Sequence, residues 1–143
     1  MALIDVTPKM TSDKAPAPYV VSYTGTYYFT APYKAFNGDD AVGFCPGTSL
    51  NDYGGLILNF SKSTKINTFG ILVKINNAYK SVKMLVTLQG SNDGKAYTKI
   101  DSFYLKSYDV LNMYPLNDNY NYQYYRVSLT PQASGIYTKY EIG

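Results

Sequence analysis

Four stretches of the chain place an apolar residue at every second position. They are Leu56, Leu58 and Phe60; Phe69, Ile71, Val73 and Ile75; Val82, Met84, Val86 and Leu88; and Tyr125, Val127 and Leu129, the last alternating with Tyr124, Arg126 and Ser128. Successive side chains of a strand point to opposite faces, so each run reads as a strand with one buried face. Ser91-Asn92-Asp93-Gly94 closes the third run as a turn, with Asp-Gly supplying a positive φ cheaply. Pro32 to Phe36 is the one stretch that reads as a short helical turn. Many short strands joined by polar turns predict an antiparallel sandwich or barrel. At 143 residues, 45% of them hydrophobic, the chain suits one domain with one core.

Composition removes several kinds of chemistry. With no histidine, neither a Ser-His-Asp nor a Cys-His constellation can form, and no imidazole can ligate a metal. The single cysteine, Cys45, excludes an internal disulfide and a cysteine zinc cluster. The 13 basic and 10 acidic residues leave a formal charge of +3, too mild for an electrostatic nucleic-acid binder. The longest apolar stretch, Phe69 to Val73, is far too short for a membrane-spanning helix. No basic and apolar leader is readable in Met1-Ala2-Leu3-Ile4-Asp5, so no signal peptide is expected. Glycoside hydrolysis needs two carboxylates flanking the bond. Glu141 is the single glutamate, and Asp39, Asp40, Asp93 and Asp118 sit in turn contexts, so no enzyme is expected.

Residues 1–18 differ from the rest. Pro8, Pro16 and Pro18 fix φ and push their neighbours to extended angles, and no periodicity is present. This reads as an extended N-terminal arm before a domain at 19–143, either free or docked. Leu3, Ile4 and Val6 favour docking on another chain, with the domain from Tyr19 folding alone.

Five local motifs then fall in order: Lys34-Ala35-Phe36-Asn37-Gly38-Asp39, Gly55-Leu56-Ile57-Leu58-Asn59-Phe60, Leu88-Gln89-Gly90-Ser91-Asn92-Asp93-Gly94-Lys95-Ala96-Tyr97, Tyr124-Tyr125-Arg126-Val127 and Tyr140-Glu141-Ile142. Together they resemble the discoidin, or coagulation factor V/VIII type C, domain, which includes family 32 carbohydrate-binding modules. The resemblance implies an all-β, eight-stranded antiparallel jelly-roll β-sandwich, non-catalytic, with a ligand face of loops at one end. The start, Asp5-Val6-Thr7-Pro8-Lys9-Met10-Thr11-Ser12, is similar to the start of some bacteriophage tail and fibre proteins. That implies a virion protein made in the host cytoplasm, present in many copies or as a homo-oligomer, docked through residues 1–18 on a neighbouring subunit or another virion protein, and binding a host cell-surface glycan. The alternative is a purely structural decoration, collar or fibre subunit.

The resemblance also implies a structural Ca²⁺. Its ligands would be the Lys34, Val42 and Tyr140 carbonyls with Asn37, Asp39 and Glu141, oxygen donors of the kind that ion takes. Asn37 stands where the family has Asp, and Val42 where it has Thr. The other reading is a metal-free loop, with Asn37 and Asp39 bonding backbone amides.

Sugar binding is expected from tyrosines in loop contexts. A Tyr ring covers the apolar face of a sugar while its hydroxyl and nearby amides bond the ring hydroxyls. Tyr28, Tyr53, Asn77, Tyr79 and Tyr120 form the expected set, Tyr120 being taken as the end of a loop from Tyr114 through Pro115-Leu116-Asn117-Asp118-Asn119. With 17 tyrosines, most must be structural. Tyr120, Tyr122, Tyr124 and Arg126 would share a strand face. It reads as a packing face with Arg126 over tyrosine rings. A nucleic-acid platform is disfavoured because the lysines are scattered.

Overall fold

The computed structural model describes residues 6–23, 35–36, 55–75, 83–131 and 138–142. Among them are six strands: β1 (Val20–Tyr23), β2 (Gly55–Ile75), β3 (Met84–Ser91), β4 (Thr98–Tyr104), β5 (Leu111–Pro131) and β6 (Thr138–Ile142). All pairings are antiparallel. The expected helical turn is present at Ala35 and Phe36. The fold is an all-β sandwich.

Its organising element is the ribbon made by β2 and β5. Their pairing runs from Gly55↔Ser128 to Leu72↔Leu111 and is interrupted twice. Between Asn59↔Tyr124 and Thr64↔Tyr122 the extra residues are on β2, and Ser61 takes a φ of 64°. Between Ile66↔Tyr120 and Thr68↔Pro115 the extra residues are on β5. Bulges bend strands, and here they carry the ribbon from one layer to the other. One layer is β1, the first part of β2, the last part of β5, β3 and β4; the other is β6, the rest of β2 and the first part of β5. Across the interior Phe103 of β4 stacks on Tyr114 of β5 at 3.7 Å and meets Phe69 of β2 at 6.1 Å.

The alternating runs fill the core. Leu56, Leu58, Phe60, Phe69, Ile71, Val73, Met84, Val86, Leu88, Tyr125, Val127 and Leu129 are buried. Val82 lies outside the described residues, as does the side chain of Ile75. Each buried aliphatic or aromatic side chain contributes about 1.5–3 kcal/mol before conformational costs.

Residues 6–18, expected as an arm either free or docked on another chain, make contacts within this domain. Met10 is 1% exposed within the core. Its amide donates to the Phe36 carbonyl at 2.8 Å, and the Val21 amide donates to the Asp13 carbonyl at 2.7 Å. Ser61 Oγ donates to the Pro18 carbonyl at 2.6 Å. The segment is therefore built into this domain: a flexible apolar methionine gained more by filling the core than the prolines lost by interrupting regular structure. Leu3 and Ile4 lie outside the described residues; Val6 is exposed.

Candidate functional site

The sandwich has two ends of different character. At the crossover end the β2–β5 ribbon changes layers. Tyr125 holds that corner: its Oη donates to the Thr64 carbonyl at 2.5 Å, lies 3.2 Å from the Tyr120 carbonyl, and accepts from the Tyr122 amide at 3.1 Å. Burial pushes the Tyr125 hydroxyl above its ordinary pKa, and the Tyr122 amide partly offsets this. The hairpin after β3 lies at the same end. Ser91 Oγ accepts from the Asp93 and Gly94 amides, and Asp93 Oδ1 accepts from the Lys95 and Ala96 amides. Those two amides, followed by the Ser91 hydroxyl, hold the Asp93 carboxyl below the usual range. Gly94 has the expected positive φ, 73°.

The other end is the loop end. Tyr23 pairs with Leu56, Gly55 with Ser128, Met84 with Pro131 and Ile75 with Thr138. The backbone bond from the Leu105 amide to the Met84 carbonyl and that from the Asp109 amide to the Val73 carbonyl tie these layers' ends together. Residues 105–110 form the described loop here, and Asn112 fixes them. This buried side chain accepts from the Ser107 amide at 3.1 Å and donates to the Ser107 and Val110 carbonyls at 2.8 and 3.0 Å. Tyr114 Oη accepts from the Lys106 amide at 3.1 Å.

Of the expected sugar-binding set, Tyr28, Tyr53, Asn77 and Tyr79 lie outside the described residues. Their described neighbours in the chain, Tyr23, Gly55, Ile75 and Lys83, all stand at the loop end. Tyr120 is at the crossover end, half-buried, with its hydroxyl donating to Asn117 Oδ1 at 2.7 Å. Residues 114–120 are part of β5, correcting the expected loop: Pro115 still pairs, and the residues after it bulge out opposite Asn67. Of the calcium set, Lys34, Asn37, Asp39 and Val42 lie outside the described residues. Tyr140 and Glu141 belong to β6, in register with Val73 and Leu72.

The shared face expected for Tyr120, Tyr122, Tyr124 and Arg126 is also corrected. Tyr120 and Tyr122 pack against the core, and a Cβ on Gly90 would overlap the Tyr122 ring. Tyr122 and Tyr125 meet edge-on at 6.0 Å, so the alternation slips by one residue at the bulge. Arg126 lies on the outer face instead. Its stem lies over Gly55, its guanidinium sits 4.0 Å from the Tyr97 ring centroid, and Nε donates to Gln89 Oε1 at 2.7 Å. The expected packing of Arg126 over tyrosine is present, on a ring from the hairpin.

Sequence reasoning missed Tyr104. It ends β4 at the loop end and is 55% exposed. Lys83 Nζ lies 5.8 Å from its ring centroid. Tyr104 ends a strand with no apolar alternation and has no Gly- or Asn-rich turn beside it, so its loop-end position was not legible locally.

No protein-family model and no curated protein matches the chain. Its fold is similar to solved family 32 carbohydrate-binding modules. That of AlyQ, in complex with 4,5-unsaturated mannuronic acid, has a TM-score of 0.68 and 12% identity, covering 86% of this chain and 91% of that one. CBM32-1 from a family 31 glycoside hydrolase of Clostridium perfringens gives 0.67 and 19%, covering 96% and 99%. The module of C. perfringens NanJ, in complex with galactose, gives 0.66 and 12%, covering 86% and 93%. The chain thus has the jelly-roll architecture of these modules.

Proposed function

We propose that the chain is a non-catalytic carbohydrate-binding module whose site lies at the loop end. The observation that carries this reading is the convergence there of Tyr23, Gly55, Ile75 and Lys83, the described neighbours of Tyr28, Tyr53, Asn77 and Tyr79. The similar modules bound to galactose and to an unsaturated uronic acid support it. Tyrosine rings with adjacent amides give a shallow site of weak affinity per copy. Display in many copies multiplies such affinity. The same proposal places the protein in a phage virion, contributing to attachment to a host surface glycan; the resemblance of residues 5–12 supports that part. Tyr120, at the crossover end, is assigned to the fold.

The test is a glycan array and a host-cell pull-down with multivalent protein, comparing the native chain with Tyr53→Ala and Tyr79→Ala. Loss of binding with an unchanged melting temperature is expected. Binding to no glycan and no cell by the native protein would leave a purely structural virion subunit.

A structural Ca²⁺ held by Lys34, Asn37, Asp39, Val42, Tyr140 and Glu141 is part of the proposal. The donor set is all oxygen, which suits a hard cation, and Ala35 and Phe36 are anchored in the core between Lys34 and Asn37. Binding to the folded state alone raises the melting temperature, so added Ca²⁺ should raise it and a chelator lower it. No change with either would show a metal-free loop.

A further inference from the structure

We propose that Tyr104, Lys83 and Lys106 form an anion-reading subsite at the rim of the loop end, selecting saccharides that carry a carboxylate or phosphate. The inference rests on the glycan-binding reading above and adds the class of sugar.

The geometry begins with an aromatic ring that the fold leaves uncovered. Tyr104 is 55% exposed, although it closes a strand whose neighbour Phe103 is packed in the core. Among the described residues its hydroxyl has no hydrogen-bond partner. An exposed ring at the end of a strand, with only two side-chain torsions to fix, offers a stacking surface at little entropic cost.

Two lysines stand on the segments that meet at this rim. Lys83 Nζ lies 5.8 Å from the Tyr104 centroid, and Lys106 Nζ lies 5.3 Å from the centroid of Tyr114. The bond from the Leu105 amide to the Met84 carbonyl joins the two lysine-bearing segments side by side. Neither lysine makes an ion pair among the described residues. One ammonium beside the free Tyr104 ring, with a second on the adjoining loop over Tyr114, is complementary to a sugar with an apolar ring face and an acidic substituent.

The support beneath the subsite is fixed. Asn112 ties residues 107 and 110, and the Tyr114 hydroxyl holds the Lys106 amide. The lysines are therefore presented from a braced loop and from the start of β3.

The experiment measures binding of the full chain to three probes of matched length. They are an oligouronate, a sugar-phosphate oligomer of teichoic type and a neutral galactoside. The acidic probes should bind more tightly, and added salt should erase the difference. In Lys83→Gln/Lys106→Gln the ratio of acidic to neutral affinity should fall about five- to tenfold, the scale of one or two partly exposed ion pairs. Tyr104→Ala should weaken acidic-probe binding with the melting temperature unchanged. Preference for one acidic probe alone identifies the anion as carboxylate or phosphate. Equal affinity for all three probes, or an unchanged ratio in the double variant, overturns the subsite and leaves glycan binding standing. Failure of all three to bind overturns the subsite, and glycan binding is then decided by the array and the host cells.

Discussion

At the scale of single residues, two side chains and one missing side chain fix features that the backbone alone would not hold. Tyr125 satisfies the Tyr122 amide and the Thr64 carbonyl where the β2–β5 pairing breaks. Tyr125→Phe keeps the ring and orphans both groups. It should cost about 1–3 kcal/mol, measured by urea unfolding. Gly90 leaves room for the Tyr122 ring, so Gly90→Ala should destabilise by about 1–3 kcal/mol through overpacking. Asp93 carries a pH signature. Its folded-state pKa is depressed, so its contribution is present above the ordinary aspartate range and fades as pH falls through the lowered value. The stability gap between the native chain and Asp93→Ala should therefore be open at neutral pH and narrow in acid. A gap independent of pH would show that the hairpin does not use the charge.

At the scale of elements, the N-terminal segment behaves as part of the sandwich. Met10 fills the core and bonds the Phe36 carbonyl, so a chain beginning at Tyr19 leaves a cavity. The truncation should lose about 2–5 kcal/mol, with Met10→Ala accounting for much of it. Unchanged stability in urea would restore the picture of a dispensable arm. The sequence shows why this was hidden. A lone methionine among prolines has no periodic partner, and its contact with Phe36 is long-range. By contrast, Leu56 to Phe60, Met84 to Leu88 and Tyr125 to Leu129 were legible because each alternates without a break. The long strands were not. Tyr122 and Tyr125 share a core-facing position at odd spacing, and Pro115 to Asn119 looks like a loop because turn residues also build bulges. Of the candidate site, the aromatic richness of the segments next to Tyr23, Gly55 and Ile75 could be read locally. That their neighbours meet at one end required the pairing.

At the scale of the molecule, the two layers of the sandwich are not separate sheets pressed together. The central strands of both belong to the same ribbon, continuous in chain and nearly continuous in hydrogen bonding from Gly55↔Ser128 to Leu72↔Leu111. A sandwich of two independent sheets can open like a book, one cover swinging while the other stays intact. Here the cover and the spine are one piece: prising the layers apart requires unzipping the strands that hold each of them. Amide protons of β2 and β5 in both layers should therefore exchange with a common, slowest free energy equal to that of global unfolding. Faster exchange confined to residues 68–72 and 111–114 would reveal a hinge at the bulges. A body without such a hinge can take a pull on one face and pass it to the other without parting.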